Sequence, residues 1–467
     1  MITCMRMKKV LVLNLVGLNR ALLESGAMPA VQAYAQQQRL LEVVPPLPAV
    51  TCTAQADMLM GCNASQHGGV ANGWYFRELS EVWLWRQSVH LIDGKGTLES
   101  VLQRWKRSYP DSTTAQIFWW WNLPGHADWC LTPRPTYYAD GRKGQDTHSA
   151  PASLRLQLQK KLGDFPLFRF WGPGANIAST RWIAEAVCYT MRTLQAGLVL
   201  GYLPHLDYDL QRYGPNSTQA RTAAAELDKE VARLLQEAQL LGYQVILLSE
   251  YGIEEVHTAV FPNRALRDTG LLAVHPARNG ALLDPGNSRA FAVCDHQVAH
   301  VYVHDPADLA QVREILRALP GVETIYASED LAGVGLDHER SGELVMVAAA
   351  GYWFAYPYWT GTDKEPDFAR TVDIHRKPGY DPCELLFDPA ISFLKTRLAC
   401  KLLGKKLGQR TVMNVIPTDT SLVRGSHGRP PSSTAQAPVW IGPAELAPHP
   451  TKTAAADVFL RLAAADE

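Results

Sequence analysis

The stretch Gly197-Leu-Val-Leu-Gly-Tyr-Leu203-Pro-His-Leu-Asp207-Tyr-Asp209-Leu-Gln211-Arg-Tyr-Gly-Pro215 decides the fold. Its first seven residues are an apolar run of the length expected for a strand buried on both faces. Polar and titratable residues follow at once. Three more apolar runs have the same form, at residues 10–16, 115–121 and 244–249. Long amphipathic stretches lie between them, at residues 179–196 and 218–241. In the second, Ala224, Leu227, Val231, Leu234, Leu235 and Ala238 recur at helical spacing. Short buried strands alternating with long helices predict an α/β fold with a mostly parallel central sheet. Ligands of such folds gather at the carboxyl ends of the strands, so the residues just behind each strand carry the functional reading.

Composition bounds the answer. The chain has 467 residues, with Lys+Arg 45 against Asp+Glu 46, 47% hydrophobic and 19% charged. Those values exclude wholesale disorder, collagen and coiled coil, and leave room for two or three domains. A formal net charge of −1 argues against nucleic acid as a partner, because neutralising phosphates needs a basic excess. The basic run from Lys401 to Lys406 is short and reads as a solvated helix face. None of the eight cysteines forms a C-x-x-C or a zinc-finger pattern. They predict free thiols in a reducing compartment, and so a cytoplasmic protein. Arg6, Lys8 and Lys9 before residues 10–17 imitate a signal peptide. The apolar run is too short and Asn14 interrupts it, so it predicts a strand and no membrane span; Met7 is a candidate start. Nothing in the sequence signals an oligomeric state.

After residue 257 the texture changes. Residues 298–304, 322–327 and 343–349 predict strands, and 306–319 a helix, which together form a compact α+β unit. A Lys-rich helix is expected at 391–407, a Gly/Ser/Pro-rich loop at 424–437, an apolar segment at 438–441 and an Ala-rich helix at 454–465. The expected division is a core in two parts, 1–256 and 391–442, a smaller cap inserted at 257–390, and a tail at 443–467.

Four segments behind strands hold chemistry. Pro45-Pro-Leu-Pro-Ala-Val-Thr51-Cys-Thr-Ala-Gln55 opens into a helical run ending at Gly61. A hydroxyl at a helix start either caps it or meets an anion there. The segment at 203–215 supplies His205, Asp207, Asp209 and Gln211. Val245-Ile-Leu-Leu-Ser249-Glu250-Tyr251-Gly252 is the third, and Arg424-Gly-Ser-His427-Gly428 the fourth.

In this order the four segments resemble the alkaline phosphatase superfamily, in its type I phosphodiesterase/nucleotide pyrophosphatase-like branch. Met28-Pro-Ala-Val-Gln32, Gln66-His67-Gly68 and Asn72-Gly73 add to the likeness, which covers most of the chain. The resemblance implies an alkaline-phosphatase-like sandwich with an inserted α+β cap. It also implies hydrolysis of a phosphodiester, pyrophosphate or phosphonate-like small molecule, with two zinc-like ions and a phosphorylated hydroxyl. Carried over residue by residue, Thr51 is the nucleophile, and Asp207, Glu250 and His427 are metal ligands. Gln211 and Tyr251 stand where the branch has His. Val16 stands where it has Asp, with Asn14 two residues earlier on the same strand face, and Ala54 stands where many relatives have Asn. His205 and Asp209 alternate with Asp207 and are candidate added ligands; His375, by the cap, is a candidate substrate contact. The altered ligand set implies one divalent ion or none rather than two. It leaves open a second reading, a repurposed member that binds a metabolite or partner or does other chemistry.

Overall fold

Strand β1 (Lys9–Leu15) runs through the middle of an eight-stranded sheet in a computed structural model that describes residues 9–140, 142–361, 365–409, 411–448, 454–459 and 462. The other strands are β2 (Arg39–Glu42), β3 (Thr114–Ile117), β4 (Trp129–Pro133), β5 (Thr147–Ala150), β6 (Leu198–Leu203), β7 (Tyr243–Leu248) and β8 (Val439–Gly442). Their order is β2-β8-β7-β1-β6-β3-β4-β5. The five central strands from β7 to β4 run parallel, and β8 and β5 are antiparallel to their inner neighbours.

The strand period of two sorts the core. Val10 and Val12 face one side, packed with Leu200, Ile246, Leu248 and with Cys52, Ala56 and Met60 of helix α1 (Thr51–Met60). Leu11, Leu13 and Leu15 face the other, packed with Val199, Leu247 and helices α2 (Ile177–Tyr189) and α4 (Thr218–Leu240). Each such fully buried side chain contributes about 2 kcal/mol. Asn14 shares the face of Val10 and Val12, so a polar side chain stands at the carboxyl end of β1, toward α1.

Residues 290–348 form a four-stranded antiparallel sheet from Ala290–Asp295, Val298–Val303, Leu344–Ala348 and Val322–Ala327, in that order. Its inner residues join the same core as α1. Among the described residues no helix is long and apolar enough to cross a membrane. The seven described cysteines are all free, and Cys4 lies outside the described residues.

Several expected elements differ. The run at 115–121 is strand only to Ile117, because Phe118 (φ 61°) and Trp121 (φ 62°) take left-handed conformations that coil the chain. Trp119 and Trp121 enter the core, while Trp120 turns to a cleft. Residues behind β6 form helix α3 (His205–Tyr213) rather than extended chain. Helix α2 ends at Tyr189 in a π turn, Thr190–Leu194. The expected loose loop at 424–437 is tied down at its start. Gly425–Ser426 pairs with Glu254 and Glu255, and the Arg429 guanidinium bonds to Glu254 (3.3 Å) and Glu323 (2.6 Å). The Lys-rich helix is α5 (Leu394–Lys406). Of the tail helix expected at 454–465, only the turn Ala455–Asp457 falls in a described run; residues 460, 461 and 463–465 lie outside the described residues.

Candidate functional site

Thr51 is the first residue of α1. Val50 holds the N-cap position and makes no side-chain cap bond, so the Thr51 hydroxyl is not the helix cap. That hydroxyl lies 3.2 Å from the Tyr251 hydroxyl, and Tyr251 in turn donates to Asp207 Oδ1 at 3.3 Å. Asp207 sits in the first turn of α3, one helical turn before Gln211, whose side-chain amide donates to Asp207 Oδ2 (2.8 Å). The Tyr380 hydroxyl donates to Gln211 Oε1 (2.8 Å). A chain of hydrogen bonds therefore runs from Thr51 through Tyr251 and Asp207 to Gln211 and Tyr380.

Glu250 follows β7 and is wholly buried. Its Oε1 accepts from the Gln55 amide (2.5 Å) and from the Asn14 amide, while Oε2 has no partner. Gln55 is one turn along α1 from Thr51, and its own oxygen accepts the Trp120 N–H (2.5 Å). Burial pushes the Glu250 carboxyl up to about 8, against the pull of Gln55 and Asn14. Burial also lifts Asp207, to about 6. Near neutral pH Glu250 is thus a neutral acid and Asp207 is mainly ionised.

His427 follows Gly425–Ser426. Its Nδ1 donates to the Ala49 carbonyl (2.7 Å), which leaves Nε2 buried without a partner, 4.0 Å from Asp207 Oδ1. Its ring stacks on Tyr251 at 3.6 Å and 6° and meets the His296 ring at 3.7 Å. Burial holds both imidazoles well below their usual range, so both are neutral. His296 takes φ 60°, donates from Nδ1 to Asp295 (2.8 Å) and also leaves Nε2 unpartnered. Asn72 ties this side to α1: it donates twice to Asp295 and accepts the Cys52 N–H.

Thr51, Asp207, Tyr251, His296 and His427 line the floor of a cavity of about 1520 Å³. Trp85, Trp120, Trp171, Tyr202 and Tyr380 wall it. Among the described residues, Arg86, Arg134, Arg142, Lys143, Arg169 and Arg376 border it against two acids, Asp207 and Asp373. This cationic, aromatic cleft suits an organic anion. His375 lines it too.

Two other sequence candidates, His205 and Asp209, lie elsewhere. His205 and Asp209 do not join Asp207, because in a helix residues two apart point away from each other. His205 bonds to Glu226 (2.9 Å) and Asp209 to Arg212 (2.9 Å). Lys377 is buried between Asp381 (2.7 Å) and Glu384 (2.8 Å). Asp128 anchors Lys106 and Thr114, and His126 bonds Ser100. The sequence reading missed His296, Asp295, Gln55, Tyr202 and Tyr380. None belongs to the four segments except Gln55, whose place one turn after Thr51 was a usable signal.

The donor set does not fit two divalent ions. Val16 is buried and apolar where a carboxylate is required. Both Asp207 oxygens and one Glu250 oxygen already accept hydrogen bonds, and Glu250 is held neutral. An amide (Gln211) and a phenol (Tyr251) replace imidazoles, and neutral oxygens of these kinds are weak zinc ligands. Among the described residues no three of His, Cys, Asp and Glu stand together as a metal-binding group.

A family model described as type I phosphodiesterase / nucleotide pyrophosphatase matches residues 10–381. Among solved structures, murine ectonucleotide pyrophosphatase / phosphodiesterase 5 superposes with TM-score 0.58 at 13% identity, covering 97% of this chain and 94% of that one. Its inactive variant in complex with AMP matches with TM-score 0.58 at 13% identity, over 97% of this chain and 95% of that one. Phosphonoacetate hydrolase from Sinorhizobium meliloti 1021, in complex with phosphonoformate, gives TM-score 0.58 at 14% identity over 98% and 96%. At these identities the likeness to the solved structures is one of fold. No protein with a curated description matches the sequence.

Proposed function

Since the chain belongs to the type I phosphodiesterase/nucleotide pyrophosphatase family, we propose that it cleaves a small phosphodiester, pyrophosphate or phosphonate-like anion, with Thr51 as nucleophile and without the two-ion centre. One observation carries this reading. The Thr51 hydroxyl sits on the floor of the cationic cleft, at the start of a buried ten-residue helix, and bonds to Tyr251 instead of capping that helix. The helix start favours the negative charge that builds on the phosphoryl oxygens.

The step balances as follows. Thr51 Oγ attacks phosphorus while its proton passes to the Tyr251 oxygen. The Tyr251 proton passes to Asp207 Oδ1, which can take it because Asp207 is mainly ionised at neutral pH. The leaving oxygen departs with the bonding electron pair, so an acidic leaving group is required. Water then hydrolyses the threonine ester. The AMP and phosphonoformate complexes of the structural neighbours make those two anions suitable probes. In this reading residues 257–390 form the inserted cap, which gives His296 to the floor and Tyr380 to the wall of the cleft; 1–256 and 391–442 form the core and 443–467 the tail. The free thiols support a reducing, cytoplasmic setting.

A second reading, ligand binding without turnover, draws support from the amides that already occupy Glu250 Oε1. Hydrolysis of a chromogenic phosphodiester with chelator present, together with metal analysis, separates the readings. Turnover that survives chelation and is lost in Thr51→Ala is expected. Turnover abolished by chelator, with one or two ions per chain, would overturn the metal-free mechanism. Saturable AMP binding with no turnover would favour the second reading.

A further inference from the structure

His296 and Gln297 form a two-residue hairpin loop between the strands Ala290–Asp295 and Val298–Val303. His296 takes φ 60° there, a conformation for which such a loop favours glycine or asparagine. A bulkier residue persists in it only where the surroundings impose it, and such positions gather at functional sites. Backbone bonds fix the loop: the Gln297 N–H donates to the His427 carbonyl (2.8 Å), and the His296 carbonyl accepts the Phe354 N–H (2.8 Å). The His296 ring is clamped between Tyr380 (3.6 Å, 21°) and His427 (3.7 Å). Its Nδ1 donates to Asp295 (2.8 Å), which is itself held by the backbone N–H and side-chain amide of Asn72 (2.8 and 3.0 Å). With the proton on Nδ1, Nε2 presents a lone pair. That nitrogen is buried and without a partner, on a residue of the cavity floor.

We propose that His296 Nε2 is the general base for the second half of the reaction, taking a proton from the water that hydrolyses the Thr51 ester, with Asp295 as its positioning residue. This rests on Thr51 as the nucleophile. In this step the water oxygen bonds to phosphorus while one of its protons passes to Nε2. The bond from phosphorus to Thr51 Oγ breaks with its electron pair on Oγ, and Thr51 recovers through Tyr251 the proton that Asp207 took in the first half. The imidazolium then gives its proton to solvent. Asp295 fixes the tautomer of the ring and balances the charge it acquires. His427 also leaves Nε2 free, but its Nδ1 bonds to the neutral Ala49 carbonyl and has no carboxylate behind it. The rings of Tyr251, His427 and His296 follow one another at 3.6 and 3.7 Å. His296 is thus set back by two ring spacings from the phenol that bonds Thr51, as suits a base that acts through a water on the far side of phosphorus.

The test is rapid-quench hydrolysis of the chromogenic phosphodiester by the full chain, with intact mass read alongside. His296→Asn and His296→Gly place residues that tolerate the left-handed loop position. Each should release a stoichiometric burst of chromophore at a rate close to wild type and then slow roughly 10²–10⁴-fold, with phosphothreonine accumulating at Thr51. Added imidazole should restore steady turnover in His296→Gly, and Asp295→Asn should slow the same step and trap the same ester. Steady turnover at the wild-type rate in both His296 variants, or loss of the burst together with turnover, would overturn the base while leaving the Thr51 chemistry standing. Hydrolysis that proceeds unchanged in Thr51→Ala, or none by the wild type, would instead overturn the nucleophile and this proposal with it.

Discussion

Replacing Glu250 by Gln should make the protein more resistant to alkali, by an amount the burial of this carboxyl sets. The folded chain lifts Glu250 from its ordinary 4.5 to about 8 because the side chain is wholly enclosed. Below pH 4.5 the group is protonated in both folded and unfolded chains, so it adds no pH dependence. Between 4.5 and about 8 the unfolded chain ionises and the folded chain does not, so the folded state loses stability as pH rises. Each pH unit in that window costs about 1.4 kcal/mol, which accumulates to about 4–5 kcal/mol by pH 8. Glutamine has the shape of the protonated acid, keeps an oxygen for Gln55 and Asn14, and never ionises. Asp207, raised to about 6, is present in both proteins and cancels. Urea denaturation of wild type and Glu250→Gln should therefore give stability curves that diverge between pH 5 and 8.5, the variant gaining several kcal/mol on the wild type. Parallel curves, or a variant that falls behind as pH rises, would mean that Glu250 is ionised in the folded protein. The neutral-acid account of the site would then fail, and with it the argument against a bound cation.

Thr51→Ala should abolish turnover of a chromogenic phosphodiester while shifting the melting temperature by no more than a degree or two, since the hydroxyl caps nothing; a fully active variant would remove the nucleophile. Tyr251→Phe deletes the link between Thr51 and Asp207 and should lower kcat roughly 10²–10⁴-fold with AMP binding retained. Lys377→Met should destabilise the fold by about 3–5 kcal/mol in thermal or urea melts, because Asp381 and Glu384 lose their buried counter-ion. Limited proteolysis should cut among the exposed residues 432–435 and spare Gly425–His427, which are buried and paired.

The parallel sheet was legible because each of β1, β6 and β7 is a run of apolar residues bracketed by polar ones, a pattern that burial on both faces imposes. Thr51, Asp207, Glu250 and His427 were implied by the family resemblance of the segments that hold them, and those segments follow strands whose ends converge on one rim. Geometry within those segments was not legible. His205 and Asp209 were read as neighbours of Asp207 on extended chain, and the chain is helical there. The Trp119–Trp121 run reads as strand, and two left-handed residues break it. His296 was invisible because its role rests on ring contacts with Tyr380 and His427, residues far away in sequence. Such contacts leave no local periodicity. The partnering of Glu250 by Asn14 likewise spans the chain from β1 to the end of β7.

Strand β8 lies between β2 and β7, although it comes from the last thirty residues of the sequence. Until β8 is made, β7 has only one neighbour, and β2 has no strand beside it in the sheet. A nascent chain leaving the ribosome therefore carries an open edge at Tyr243–Leu248, four of whose six residues are apolar aliphatics, for as long as the following two hundred residues take to be synthesised. Open apolar edges of this kind recruit other strands. His427 arrives only shortly before β8, so the pocket and the closure of the sheet are completed together. Translation of this protein accordingly has a long interval with that edge open, which closes at β8 shortly after His427 has completed the floor of the cleft.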